Sequence, residues 1–304
     1  MKKIAGLCLL ALLIPYVVTL LWTGRAEGNK TFSKEAQKSI ILDGGAVPAE
    51  VDLEEYLIGV LALQIPASYE KETLKAQAVI ARTYLYKQLG DQKEIPESAL
   101  KLDYLEESRM EEVWGQEHYL EYYEKIRDAV NDTKGEVIKY GGSLIDPLFH
   151  RISAGRTREG DSLHPYLQSV DCETDLEAEN YMTITTFTRK EFADKLNAMS
   201  DSPGLTPEQS LESIQIVSKD EGGYVIKVQA GSKIYGGEDI SAALGLPSCA
   251  FSFEDYEGTV RCSVKGIGHG YGFDQYGADL KAGEGEKAEE LLKFYYKNIV
   301  IISE

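Results

Sequence analysis

The sequence predicts an α+β fold, with a helical N-terminal part packed on a mixed or antiparallel β-sheet region and an apolar segment ahead of both. Three observations carry that prediction. Apolar residues recur at helical spacing between Leu53 and Leu85. Period-two alternation takes over from Glu136. Strand-like patterning then dominates from Ile214 to Val264. No internal repeat runs through the chain.

Taken in order, the chain opens with Lys2 and Lys3 before an uncharged, mostly apolar run of nineteen residues, Ile4 to Trp22. That is about the length a helix needs to cross a bilayer. The paired lysines would hold the tip in the cytoplasm and place the bulk of the chain outside, as a single-pass protein of the cell membrane. A cleavable signal peptide is the alternative, although no A-x-A-like site follows Trp22. Cys8 follows Leu7 early in the run, whereas a lipoprotein signal needs a small residue before a Cys at its end. The expected organisation is a cytoplasmic tip and transmembrane signal anchor over 1–23, a polar linker over 24–38, and one extracytoplasmic domain over 39–302.

Asp52 with Glu55 three residues on makes a capping-box-like helix start. Leu53, Tyr56, Leu57, Val60 and Leu61 follow on one face, and Pro66 ends the helix. Gln64 continues that apolar face, and a polar side chain at the buried end of such a stripe needs a partner or a job. A second helix, capped by Ser68 with Glu70 and Glu72 at its positive end, buries Leu74, Ala78, Ala81 and Leu85. The short joint puts Gln64 beside this helix's N-terminus, where it could form a wall of a cleft. Residues 91–117 read as an acidic surface excursion. A helix then spans about 121–132, and a hairpin follows: Glu136 to Tyr140, a Gly141-Gly142 turn, and Ser143 to Ser153. Helix and strand alternate through Thr183 to Met199. Glu284 to Tyr296 forms a last amphipathic helix.

The densest chemistry lies between Gly268 and Ala278, where four glycines, one of four histidines, an Asp and a Gln fall within eleven residues. Glycine admits positive φ and close approach of another chain or a ligand. One reading is a tight turn with a structural histidine. The other is a rigid cradle presenting His269, Asp274 and Gln275 to a polar ligand. Cys249 and Cys262 flank a hairpin turning near Asp255 and Tyr256, which suits a disulfide in an exported protein or two independently buried thiols. Cys172 is left unpaired. Fifty acids against 32 Lys and Arg give a net charge of -18. Such a surface repels polyphosphate, so nucleic acid and anionic lipid headgroups are not expected partners.

Three blocks resemble the stage II sporulation protein D family, which also includes amidase enhancer proteins of bacterial cell walls. Gly268 to Ala278 is similar to the family's G-H-G-x-G-x-S-Q-Y/W-G-A signature, with Asp274 in the Ser position. Gln64-Ile65-Pro66 and Glu72 to Tyr84 resemble E-x-P…E-A-L-K-A-Q-A-V-A-A-R-T-Y. Phe149 to Thr157 and Tyr166 to Asp171 resemble F-H-S-x-S-G-G-x-T…Y-L-x-S-V-D.

The resemblance implies a lytic transglycosylase that cuts peptidoglycan glycan strands while a mother-cell membrane engulfs a forespore. Such an enzyme needs one well-placed acid. It protonates the glycosidic oxygen and then, as carboxylate, helps the sugar's own hydroxyl close on the anomeric carbon. The family's catalytic glutamate falls at Gln64, whose carboxamide keeps the shape but cannot deliver that proton. Either the acid has moved, with Glu70, Glu72, Asp171 and Asp274 as candidates, or this protein binds glycan, or activates an amidase, without cutting.

By the same resemblance Arg82, His150, Ser153, Thr157, His269, Gln275 and Tyr276 are candidate substrate contacts. Arg82 is also readable as a buried charge shaping the cleft, and Tyr84 and Tyr276 offer flat faces to sugar rings. Some members of the family bind zinc through the His of the F-H-S block and nearby cysteines. His150 matches that His, but no Cys follows within twenty residues, so no cofactor is expected beyond this one zinc candidate. The implied partners are glycan strands, a peptidoglycan amidase (stage II sporulation protein P) and a membrane scaffold (stage II sporulation protein M).

Overall fold

The computed structural model describes residues 38–45 and 47–304. The expected anchor and nearly all of the linker lie outside those residues. Among the described residues no helix is long and apolar enough to cross a membrane. The described residues form one compact unit of seven α-helices and fourteen short strands in five small sheets.

Strand β1 (Ser39–Leu42) pairs antiparallel with β2 (Ala49–Asp52) and parallel with β3 (Glu94–Pro96). Helix α1 (Leu53–Gln64) starts where the Asp52 carboxylate accepts the Glu54 and Glu55 amides at 2.9 and 3.3 Å. Its predicted stripe is fully internal, with Tyr56, Leu57, Val60 and Leu61 all at 0% exposure. Helix α2 (Lys71–Leu89) begins later than Ser68 suggested: Glu70 occupies its N-cap position without a side-chain cap, and its amide donates to Asp279 Oδ1 at 2.6 Å. The stretch read as an excursion holds β3 and the front half of α3 (Glu107–Asp132), which bends at Gly115. The acidic surface of that half hid its helical period, because it packs on little except Met110.

The predicted hairpin is short. β4 (Glu136–Tyr140) meets only β5 (Ser143–Leu144), and β14 (Val300–Ser303) takes its other edge. The chain then leaves the sheet so that β6 (Phe149–His150) can pair parallel with β13 (Phe273–Asp274). A second layer is built from β7 (Met182–Thr188), α4 (Arg189–Asn197), β8 (Ile214–Lys219), β9 (Val225–Ala230), β10 (Lys233–Gly236), α5 (Gly237–Leu244), β11 (Ala250–Tyr256) and β12 (Thr259–Lys265). It has its own apolar core around Phe192, Val228, Phe251 and Val260. Helix α5 lies inside a stretch read as strands only.

The β11–β12 hairpin turns through Glu257 and Gly258, both at positive φ, between the paired Tyr256 and Thr259. Its register corrects the disulfide prediction. Cys262 faces Phe253, whereas Cys249 precedes Ala250, the partner of Lys265. The thiols are therefore about four residues out of step, and both are free and buried.

The motif runs from a loop into β13 and then into α6 (Gln275–Gly283), which is followed by α7 (Ala288–Tyr295). It is a turn, strand and helix start together, which a glycine count alone does not reveal.

Candidate functional site

Helix α1 ends at Gln64 because Ile65 turns extended before Pro66. There Gln64 meets α2 and the start of α6. Gln64 Oε1 accepts from Gln77 Nε2 at 2.9 Å. Gln275 Nε2 donates to the Gln64 carbonyl at 2.9 Å and to Gln77 Oε1 at 3.2 Å. Both Gln275 amide hydrogens are thereby used, and with Gln77 and Gln275 at 0% and 2% exposure the relay is inaccessible to a ligand. Gln275 is thus a tie between motif and helix rather than a glycan contact. Gln64 itself is half-buried and forms part of a cleft wall.

Outward lies a cleft of about 510 Å³, lined among others by Gln64, Tyr84, Lys101, Asp103, Asp146 and His269. Tyr84, read as one possible ring face for sugars, is part of that lining. Asp146 and Asp103 are the carboxylates of this cleft, and the sequence reading missed both. Asp146 is held by Lys87 at 2.6 Å, with His164 Nε2 at 3.9 Å. No spacing brings residues 64, 103 and 146 together; only the packing of the loops against α1 and α2 does.

The other expected acids lie outside that lining. Glu70 is exposed. Glu72 accepts from the Ala288 amide at 3.0 Å and pairs with Lys75 at 3.1 Å. Asp171 is exposed and pairs with Arg156 at 2.9 Å. Asp274 is completely buried.

The His150 and His269 rings are neighbours, with centroids 6.0 Å apart. His269 Nδ1 accepts the Tyr271 amide at 3.0 Å, which leaves its proton on Nε2, and the ring lines the cleft. His150 donates from Nδ1 to the Tyr271 carbonyl at 3.1 Å, while its buried Nε2 has no partner. Burial, then the adjacent His269, lowers the His150 pKa to about 3. One imidazole beside it falls well short of the four N or S ligands of a zinc centre, so these residues do not fit the zinc suggested for His150.

Two glycines explain why the motif needs them. A Cβ at Gly270, with φ of 81°, would sit 2.2 Å from Tyr224 Cζ. At Gly272, with φ of 69°, it would sit 2.0 Å from the Leu148 carbonyl oxygen.

The remaining candidate contacts are structural. The buried Arg82 guanidinium pairs with Glu54, Nη2 to Oε2 at 2.6 Å, and donates to Thr133 and the Val130 and Glu136 carbonyls. It matches the alternative reading of a buried charge and leaves nothing for substrate. Ser153 and Thr157 are wholly buried; Thr157 Oγ1 donates to the Gln168 carbonyl and accepts the Val170 amide, both at 2.9 Å. Tyr276 is half-buried and stands outside the cleft lining. Arg158, singled out by no motif, is 5% exposed and reaches Asp220 at 2.8 Å and Glu238 at 2.7 Å.

Fold and site define an α+β protein whose cleft lies between the end of its first helix and a glycine-rich turn that opens a later helix. A family profile described as Stage II sporulation protein matches residues 44–140. The chain is 30% identical over 334 residues to stage II sporulation protein D of Bacillus amyloliquefaciens, covering 98% of this chain and 94% of that protein. It is 32% identical over 263 residues to stage II sporulation protein D of Bacillus subtilis (strain 168), covering 83% and 74%. The amidase enhancer of Bacillus subtilis (strain 168) is 27% identical over 298 residues, covering 81% of this chain and 40% of that protein. The chain belongs to the stage II sporulation protein D family.

Proposed function

We propose that this protein works on the cell wall during sporulation, binding peptidoglycan glycan strands in the Gln64 cleft and holding them without cutting. The observation that carries this reading is Gln64 itself. It fills the position where the family resemblance puts the proton donor, and its Oε1 is committed to Gln77. The four acids considered as replacements lie outside the cleft lining. Tyr84 and His269 supply a ring face and an N–H donor suited to sugar hydroxyl and acetamide groups. The peptidoglycan amidase and membrane scaffold implied by the family, and tethering at the cell membrane, belong to the same proposal.

A second reading, lytic transglycosylase activity with a relocated acid, is favoured by one observation: Asp103 and Asp146 line the same cleft. Mass spectrometry of denuded glycan strands, incubated with the full chain or with Gln64→Glu, separates the two. Gln77 can donate to the carboxylate introduced by Gln64→Glu as it does to the native amide, so the variant is expected to release anhydro-ended fragments ~10²- to 10⁴-fold faster than the native chain. Comparable release by the native chain would assign the chemistry to Asp103 or Asp146. Failure of both proteins to retain glycan strands would overturn the glycan reading.

A further inference from the structure

Behind the motif, on the side of α6 away from Gln64, the chain buries acids that none of the proposed glycan chemistry uses. Cys172 Sγ and one carboxylate oxygen each of Asp175 and Asp274 lie within 4.8 Å of one another, all three residues being buried. Asp175 and Asp274 are both at 0% exposure. Asp175 Oδ2 accepts the Ser153 amide at 2.7 Å, which orients the carboxylate and leaves Oδ1 pointing elsewhere. Asp274 Oδ1 caps α6 through the Gly277 amide at 3.5 Å.

What remains is unpartnered. Asp175 Oδ1, Asp274 Oδ2 and Tyr295 OH are buried without a hydrogen-bond partner. They converge on Gly277, where a Cβ would meet Tyr295 OH at 3.0 Å, Asp274 Oδ2 at 3.1 Å and Asp175 Oδ1 at 3.3 Å. Among the described residues no Lys or Arg forms an ion pair with either carboxylate. Burial and the neighbouring Asp175 hold the Asp274 carboxyl well above the usual carboxylate range, so without an ion the two acids share a proton that a divalent cation would displace.

We propose that Cys172, Asp175 and Asp274 form a divalent transition-metal site of the zinc class, separate from the glycan cleft. One thiolate and two carboxylates suit a borderline-soft ion better than calcium or magnesium, which take oxygen alone. Three protein ligands leave a fourth position. A cavity of about 250 Å³, lined by Cys172, Gly277, Lys281 and Tyr295 among others, lies beside the cluster on the Cys172 side. The Ser153 amide holds Asp175 in place for coordination as a supporting shell does. Asp274 stands where the family signature has Ser.

Cobalt(II) titration of the full chain tests this without reference to glycan. The expected result is one cobalt per chain with a thiolate-to-cobalt charge-transfer absorption, displaced by equimolar zinc. Cys172→Ser should abolish that absorption, and Asp274→Ser should weaken cobalt affinity at least 10-fold. Asp194→Ala, on an exposed face of α4 where it pairs with Lys190, should change neither. Should Cys172→Ser not fold, Asp274→Ser decides, because it restores the residue of the signature. A folded chain showing no thiolate-to-cobalt absorption, or binding unaltered in Asp274→Ser, overturns the proposal.

Discussion

Gln64 and His150 show how single atoms set what the site can do. Glutamate and glutamine fill the same space, and Gln77 donates to either, so replacing one with the other removes a proton without disturbing the packing. The Gln64→Glu gain stated above belongs to this scale. His150 gives a second prediction. Its folded pKa of about 3 lies below the ordinary value of 6.5, so below that value the unfolded chain binds the proton more readily. Its contribution is fully present above pH 6.5 and is lost as pH falls toward 3. The loss should reach roughly 3 kcal/mol by pH 4. Urea unfolding of His150→Asn beside the native chain should show a shallower decline in stability between pH 7 and 4.

Among elements, the joint of α1, α2, α3 and β4 depends on Arg82. Its fully buried guanidinium joins Glu54 on α1 to the Val130 carbonyl on α3 and the Glu136 carbonyl on β4. Arg82→Ala should cost about 3–5 kcal/mol, because it strands Glu54, only 12% exposed, and uncaps two carbonyls. Chemical denaturation reads this directly, and a loss below about 1 kcal/mol would contradict it. The turn before β13 depends on Gly272 in the same sense. Gly272→Ala combines an unfavourable φ with a 2.0 Å approach to the Leu148 carbonyl oxygen. It should destabilise by about 1–3 kcal/mol and loosen the β6–β13 pairing that carries His150. Amide exchange at Phe273, whose N–H bonds to Leu148, is the local readout.

Across the whole molecule, the layer of residues 182–265 has its own core and meets the cleft side through Arg158. That side chain reaches Asp220 and Glu238 of the layer, while its amide donates to the Gly270 carbonyl at 2.8 Å and its guanidinium lies 4.2 Å from the Tyr271 ring centroid. Arg158→Met should lower stability by roughly 2–4 kcal/mol and weaken glycan retention, since His269 and Tyr271 lose the group that backs them. Unchanged glycan retention in a destabilised variant would confine Arg158 to holding the layers together.

The sequence by itself determined what local pattern encodes. Helix α1 with its internal stripe and its stop at Pro66, the apolar face of α2, the β11–β12 hairpin and the three blocks that carry the family resemblance were all legible, because each depends on neighbours within a few turns or one strand pair. The front of α3 was not, since a solvent-facing helix shows little apolar period, and α5 was lost among strands. The tertiary structure alone decided which carboxylates line the cleft, that Gln275 holds Gln64 in place, that Cys249 and Cys262 stand out of register, and that Asp175 faces Asp274. Those relations join residues far apart in the chain, and they are set by how helices and loops close on one another, where no periodicity or short motif leaves a mark.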